Sequence, residues 1–303
     1  MRIGLLGTGP WAARVHAPAL AAHPDVTLTG VWGRRPGAAA QLAAANGTRA
    51  YDDPDALFAD VDAVSIALPP DVQAPLAARA AAAGCHLLLD KPVATTAGDA
   101  HRIAAAAGRG AVASVVFFTV RHDPAPETWI TEQAAKGGWF TAHADWVASL
   151  FADGSPPGPF TESPWRRERG ALWDVGPHAL SVLLPALGDV TGPDAVRAVR
   201  GPGDTVQLVL RHTGGATSTA TLSLTAPAAA AGAGVELRGE HGVTTLPDGG
   251  IGPEAAFARA VDALLDSVRT GEPHPCDIRF GVRVTEILEA AEADLARGPA
   301  TAG

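Results

Sequence analysis

Cysteine is scarce in this 303-residue chain: Cys85 and Cys276 are the only two. Two cysteines cannot build a disulfide framework, so the fold must rest on a packed core. Both read as buried free thiols, which points to a cytoplasmic protein. Long apolar runs are missing as well. Although 47% of the residues are hydrophobic, no run reaches the roughly 18 residues that span a bilayer, and no membrane partner is expected. The apolar start, Arg2 to Leu6, is broken too early by Gly7, Gly9 and Pro10 to read as a signal sequence. Basic blocks are also absent. Lys plus Arg number 23 against 32 Asp plus Glu, a net charge of −9, which argues against nucleic acid and for solubility. No internal repeat is found. No third ligand stands at convincing spacing from the one Asp–His pair of note, so no metal site is expected.

What remains has room for two domains. Strand Arg2 to Leu6 runs into Gly7-Thr8-Gly9-Pro10-Trp11-Ala12, a G-x-G-x-x-A loop. The first glycine permits the tight turn, the second lets backbone approach a pyrophosphate, and the small third residue lets helix pack on strand. The helix N-terminus offers free N–H groups to phosphate. Pro10 suits a helix start, and Pro18 should kink that helix. A second strand, residues 26–32, ends in Gly33-Arg34-Arg35. An NAD site would place a carboxylate there. Two guanidinium groups instead favour the 2′-phosphate of NADP, with NAD the alternative. A third strand, residues 61–68, ends in Leu68-Pro69-Pro70, a turn expected over the cofactor. An Ala-rich helix follows, then the apolar strand 86–89 and Asp90-Lys91-Pro92. A lysine at the carboxyl end of a parallel strand points into the crevice where open α/β sheets bind ligands. Helix 96–107 and strand 111–120 complete the alternation, which implies a doubly wound parallel sheet over residues 1–117.

Residues 118–303 read differently. A helix is expected over 121–136. Residues 139–150 then alternate, with Phe140, Ala142, Ala144 and Trp146 on one face and Thr141, His143 and Asp145 on the other. Residues 153–164 carry every loop signal and form a candidate substrate lid or a plain surface loop. Asp174 lies just before a helix that Pro177 helps to start, and His178 follows at i+4, so the two can face the same way. They read as a catalytic pair, or as a structural acid and a buried histidine. Strands at 194–200, 205–211, 217–225 and 234–246 predict a mostly antiparallel sheet whose open face suits a subunit interface. Two amphipathic helices follow, one carrying Phe257, Val261, Leu264, Leu265 and Val268, the other Val284, Ile287, Leu288, Ala291 and Leu295. The tail, residues 299–303, is expected to be loose.

Together these motifs resemble the glucose–fructose oxidoreductase, inositol dehydrogenase and MocA (Gfo/Idh/MocA) family. The likeness rests on the loop at residues 7–12, on Val64-Ser65-Ile66-Ala67-Leu68-Pro69, and on Asp90-Lys91-Pro92 in place of the family's Glu-Lys-Pro. It also rests on Trp165-Arg166 followed by Gly170-Ala171-Leu172-Trp173-Asp174-Val175-Gly176-Pro177-His178. The resemblance implies an α/β fold: an N-terminal Rossmann domain and a C-terminal α+β domain with an open, mostly antiparallel sheet. It implies an NAD(P)-dependent dehydrogenase or reductase acting on a sugar, polyol or similar small molecule, and a homodimer or homotetramer. Lys91, Asp174 and His178 would carry the chemistry, with either Lys91 or His178 as the proton-transfer group. Gly7, Thr8, Gly9, Pro10, Trp11, Ala12, Gly33, Arg34, Arg35, Leu68, Pro69, Asp90, Lys91, Trp165 and Arg166 would contact the cofactor. Five tryptophans, Trp129, Trp139, Trp146, Trp165 and Trp173, offer faces for stacking on a sugar or for packing. Two departures stand out: Asp90 is shorter than the family's Glu, and the segment between Trp165 and Gly170 is shortened. Rival readings are a glycosidase-type enzyme that uses bound NAD transiently, and a non-catalytic NADP-binding protein.

Overall fold

The computed structural model describes residues 1–156, 158, 160–192 and 194–298. The tail at 299–303 lies outside them, as do two prolines of the candidate lid. The chain divides into two compact units, residues 1–123 with 251–285, and residues 124–250 with 286–303.

The first unit is built on six strands: β1 (Arg2–Leu6), β2 (Thr27–Trp32), β3 (Arg49–Tyr51), β4 (Ala63–Ile66), β5 (His86–Asp90) and β6 (Ser114–Phe117). They run parallel in the order β3-β2-β1-β4-β5-β6, so the order reverses between β1 and β4. The helices between them are α1 (Ala17–Ala22), α2 (Pro36–Ala45), α3 (Pro54–Asp60), α4 (Pro70–Ala82) and α5 (Ala97–Gly110). Every residue of β4 and β6 is buried, the continuous apolar pattern of a sheet covered on both faces. The effect of Pro18 is visible one turn upstream. Residues Ala12–His16 form a π-helical turn whose last bond runs from the Ala17 N–H to the Ala12 carbonyl. A proline supplies no N–H to the preceding turn, and widening that turn accommodates it. Strand β6 is shorter than the sequence pattern suggests, because Thr119–His122 curls into a 3₁₀ turn.

The second unit contains α6 (Pro124–Lys136), β7 (Trp139–Val147), α7 (Pro164–Asp174), α8 (Gly176–Leu187), β8 (Val196–Arg200), β9 (Val206–Arg211), β10 (Thr217–Ser223), β11 (Gly232–Gly239) and β12 (Gly242–Thr245). Its sheet has the order β12-β11-β7-β10-β9-β8. All neighbours are antiparallel except the central pair, β7 and β10. Helix α8 packs on β7 and β10 and covers one face. The other face is open: along β9, Val206, Leu208 and Leu210 are buried while Gln207, Val209 and Arg211 are exposed. One strand departs from the sequence pattern. The pairing register shifts between Arg238, opposite Thr141, and Gly239, opposite Trp139. Phe140 is therefore the extra residue of a β-bulge. It turns outward, 65% exposed, while Trp139 turns in.

Helix α9 (Pro253–Thr270) groups with the first unit, whereas the sequence boundary after residue 117 places it with the second. Its stripe Phe257, Ala260, Val261 and Leu264 is fully buried in one cluster with Ile3, Leu5, Val15, Leu88 and Phe117. The Phe257 ring meets Phe117 edge-on at 5.0 Å. An apolar stripe tells that a helix is covered, not by which sheet. Helix α10 (Ile278–Arg297) gives its first turns to the first unit and the rest to the second.

Candidate active site

In the first unit the predicted cofactor residues converge on one edge. The glycine loop, the arginine pair, the proline turn and Asp90-Lys91-Pro92 follow β1, β2, β4 and β5. These four strands are consecutive in the sheet, so all four turns share its carboxyl edge. Gly7 has φ +133°, and a Cβ there would stand 2.3 Å from the Ala67 carbonyl oxygen, so no side chain fits. Its N–H donates to the Trp32 carbonyl at 2.9 Å, tying the loop to the end of β2. A Cβ on Gly9 would meet nothing within 4 Å. The backbone there is open to close approach, as a pyrophosphate requires. Gly33 is crowded by Thr8, whose methyl would lie 2.6 Å from an added Cβ. Arg34 and Arg35 are both exposed at this edge. These features fit a dinucleotide.

The Lys91–Pro92 peptide bond is cis. Lys91 is half-buried, and its backbone N–H donates to the Asp90 carboxylate at 2.8 Å. The shorter acid at Asp90 thus binds the main chain of its neighbour. The turn is also gripped from α4 by Gln73, a residue the motif reading passes over. Its carboxamide bonds the backbone of Asp90, Pro92 and Val93. The available signal was a lone amide on the buried side of an alanine helix.

The second unit holds the other predicted residues. Helix α7 is broken at Gly170, whose φ +63° and ψ −164° are not helical, and Asp174 ends it. Pro177 starts α8, and His178 sits in its first turn. Asp174 is 7% exposed. Its carboxylate accepts a 3.1 Å bond from Nε of Arg166. Arg166, expected among the cofactor contacts, is thus tied to the proposed catalytic acid. Its guanidinium lies 5.4 Å from the Phe160 ring and 5.1 Å from the Trp165 ring, a setting that favours a planar cation. The His178 ring stacks on Trp146, 5.5 Å between centroids and 11° from parallel. Trp129, Trp139 and Trp173 are buried and serve packing, while Trp146 and Trp165 keep part of their faces exposed.

Three other titratable groups of the first unit, His16, His122 and Cys85, are buried. Burial lowers the pKa of His16 to about 3, and its Nδ1 pairs with the Ser65 hydroxyl at 2.8 Å. Burial, with the nearby His274, lowers His122 to about 3. Burial raises the Cys85 thiol to about 11, which leaves it unreactive. Among the described residues no three His, Cys, Asp or Glu side chains gather to hold a metal, and no helix is long and apolar enough to cross a membrane.

Comparison with known proteins matches residues 1–118 to the oxidoreductase family with an NAD-binding Rossmann fold, GFO_IDH_MocA. Residues 145–245 match the GFO/IDH/MocA C-terminal domain. A dTDP-3,4-didehydro-2,6-dideoxy-alpha-D-glucose 3-reductase of Streptomyces antibioticus is 35% identical over 193 residues, 62% of this chain and 57% of the relative. The match thus spans little more than half of that relative's length. A UDP-N-acetylglucosamine 3-dehydrogenase from Acidithiobacillus ferrooxidans has the same fold, with TM-score 0.81 and 22% identity over 98% of each chain. So does GenD2 from gentamicin A biosynthesis, solved in complex with NAD, with TM-score 0.80 and 24% identity over 99% of this chain and 95% of that one.

Proposed function

The chain belongs to the Gfo/Idh/MocA oxidoreductase family, and from that premise we propose that it is an NADP-preferring sugar dehydrogenase or reductase working at ring carbon 3 of a hexopyranose carried as a glycoside or nucleotide sugar. The observation that carries the reading is the carboxyl edge of the first sheet, where the glycine loop, two exposed arginines and Lys91 stand at the ends of four consecutive strands. The choice of carbon 3 is supported by the names of two sequence relatives, a 3-reductase and a 3-dehydrogenase.

The dinucleotide would be held by the loop at residues 7–12, with Arg34 and Arg35 meeting a 2′-phosphate. When bound, its nicotinamide ring supplies or takes the hydride. The chain's own residues manage the proton and the charge. The Lys91 ammonium polarises the substrate oxygen. His178, whose ordinary pKa lies near neutrality, takes the hydroxyl proton in oxidation and returns it in reduction. Asp174, whose carboxylate accepts a bond from Arg166, orients His178 or binds a neighbouring hydroxyl of the substrate. The open face of the second sheet, with Phe140, Val199, Val209 and Val243 exposed, is our candidate surface for a homodimer or homotetramer. Two buried cysteines, Cys85 and Cys276, suit the reducing cytoplasm.

The test mixes the chain with NADPH or NADH and a panel of 3-keto glycosides and nucleotide sugars, and follows the reduced-nicotinamide absorbance. Turnover of a 3-keto sugar with lower KM for NADPH is expected. In Arg34→Ala the KM for NADPH should rise about tenfold with little change for NADH. Equal use of both cofactors by the unaltered chain would remove the NADP assignment. Turnover of other ring positions alone would remove carbon 3.

A further inference from the structure

Helix α4 buries Gln73, Ala74, Leu76, Ala77, Ala80 and Ala81, and Gln73 is 0% exposed. A primary amide placed fully inside costs stability unless both of its ends are bonded. Both are. Its Oε1 accepts the N–H of Asp90 at 3.0 Å. Its Nε2 donates to the carbonyl of Asp90 at 2.8 Å, and lies 3.2 Å and 3.3 Å from the carbonyls of Pro92 and Val93. One side chain therefore spans the last residue of β5 and the turn beyond it. The next N–H in line, that of Lys91, is taken by the Asp90 carboxylate at 2.8 Å. Pro92 has no N–H to offer, and its ring fixes φ. The backbone on either side of the Lys91 Cα is thus held by hydrogen bonds or by covalent geometry.

We propose that Gln73 is the positioning residue of Lys91. The amide clamps the turn so that the ammonium group stands where the substrate oxygen is polarised. The inference rests on the reading of Lys91 as a catalytic group. A carboxamide that only filled the core would do as well if replaced by an apolar side chain of equal length. A clamp would not, because the turn would lose a donor and an acceptor together.

The chain itself makes the experiment clean. It has two lysines, Lys91 and Lys136, and Lys136 is an exposed residue at the end of α6, an internal reference. Gln73→Met keeps the length and removes the polar ends. Gln73→His keeps a ring donor and an acceptor. Each variant is compared with the unaltered protein by kcat on the sugar substrate, by NADPH dissociation constant from fluorescence titration, and by acetylation with an N-hydroxysuccinimide ester. The acetylation is read by mass spectrometry as the ratio of Lys91 to Lys136.

Gln73→Met should lose about tenfold or more in kcat, the scale of a misplaced catalytic group, while the NADPH dissociation constant stays within about twofold. Its Lys91 to Lys136 labelling ratio should change about threefold or more, and Gln73→His should recover part of both losses. A Met variant with unaltered kcat and unaltered labelling ratio overturns the proposal, as does a His variant no better than Met. Should the unaltered chain turn over no sugar, the dehydrogenase reading fails on its own. The labelling ratio of the variants then decides the clamp: a ratio unmoved by Gln73→Met rejects it.

Discussion

The two sheets of this molecule place their useful residues differently. In the first, strands such as β4 and β6 are buried from end to end, both faces are committed to packing, and the candidate chemistry stands at the strand ends. In the second, β9 alternates buried and exposed residues, one face is committed, and the other is a surface. The first sheet is thus an edge-bearing device and the second a face-bearing one. A parallel strand covered on both sides has only its termini left for function, whereas a half-covered antiparallel strand has every second side chain.

The contrast can be broken most forcefully by acid. His16 and His122 of the first unit are buried and neutral, each lowered from 6.5 to about 3. A group whose folded pKa is depressed contributes stability that is fully present above its unfolded pKa and is lost as pH falls toward its folded pKa. From about pH 6.5 downward each histidine should therefore weaken the first unit, by roughly 3 kcal/mol at pH 4. Peptide-resolved hydrogen exchange between pH 7 and 4 should show the first unit opening ahead of the second. His16→Gln should flatten that dependence, and an unflattened curve would show that another group drives the acid transition.

Next come the strand-end and helix-start groups. Lys91→Ala and His178→Ala should each lower kcat by about a hundredfold or more, the usual scale for acid–base catalysis. Near-normal turnover in either variant removes that residue from the mechanism. A smaller effect separates two roles for Arg166. Bonded to Asp174 as it is, Arg166→Ala should reduce kcat about tenfold while the NADPH dissociation constant changes less than about twofold. The reverse pattern would make Arg166 a cofactor contact instead. Smallest of all is Val209→Glu on the open face. It should leave kcat unaltered and the unfolding free energy within about 0.5 kcal/mol of the unaltered chain and yet lower the mass seen by light scattering. An unchanged mass would mean that the face is not the interface.

Much of the strand-end device is legible in the sequence, because its parts are local. A glycine that must adopt φ +133° at Gly7, a proline pair after β4 and a lysine after β5 each announce themselves within a few residues. The Asp174–His178 segment is legible for the same reason. What the sequence hides is pairing across distance. Nothing near Phe140 says that β11 shifts register opposite it. Nothing near Gln73 says that its amide reaches a turn 17 residues further on. Nothing beside Arg166, expected among the cofactor contacts, says that its guanidinium bonds the Asp174 carboxylate eight residues on. The stripe of α9 is plain from its periodicity, but its destination, a cluster that includes Ile3 and Phe117, depends on the completed chain.

That destination bears on how the protein is made. As the chain leaves the ribosome, the six strands of the first unit emerge by residue 117, yet the helix that seals Phe117 and Val15 begins only at Pro253. Residues 124–250 are synthesised in the interval and belong to the other unit. The nascent nucleotide-binding half must therefore wait with an uncovered apolar seam while the second half is made. A fragment ending near residue 123 carries that seam permanently, and a dissected domain built on this chain would need α9 restored to close it.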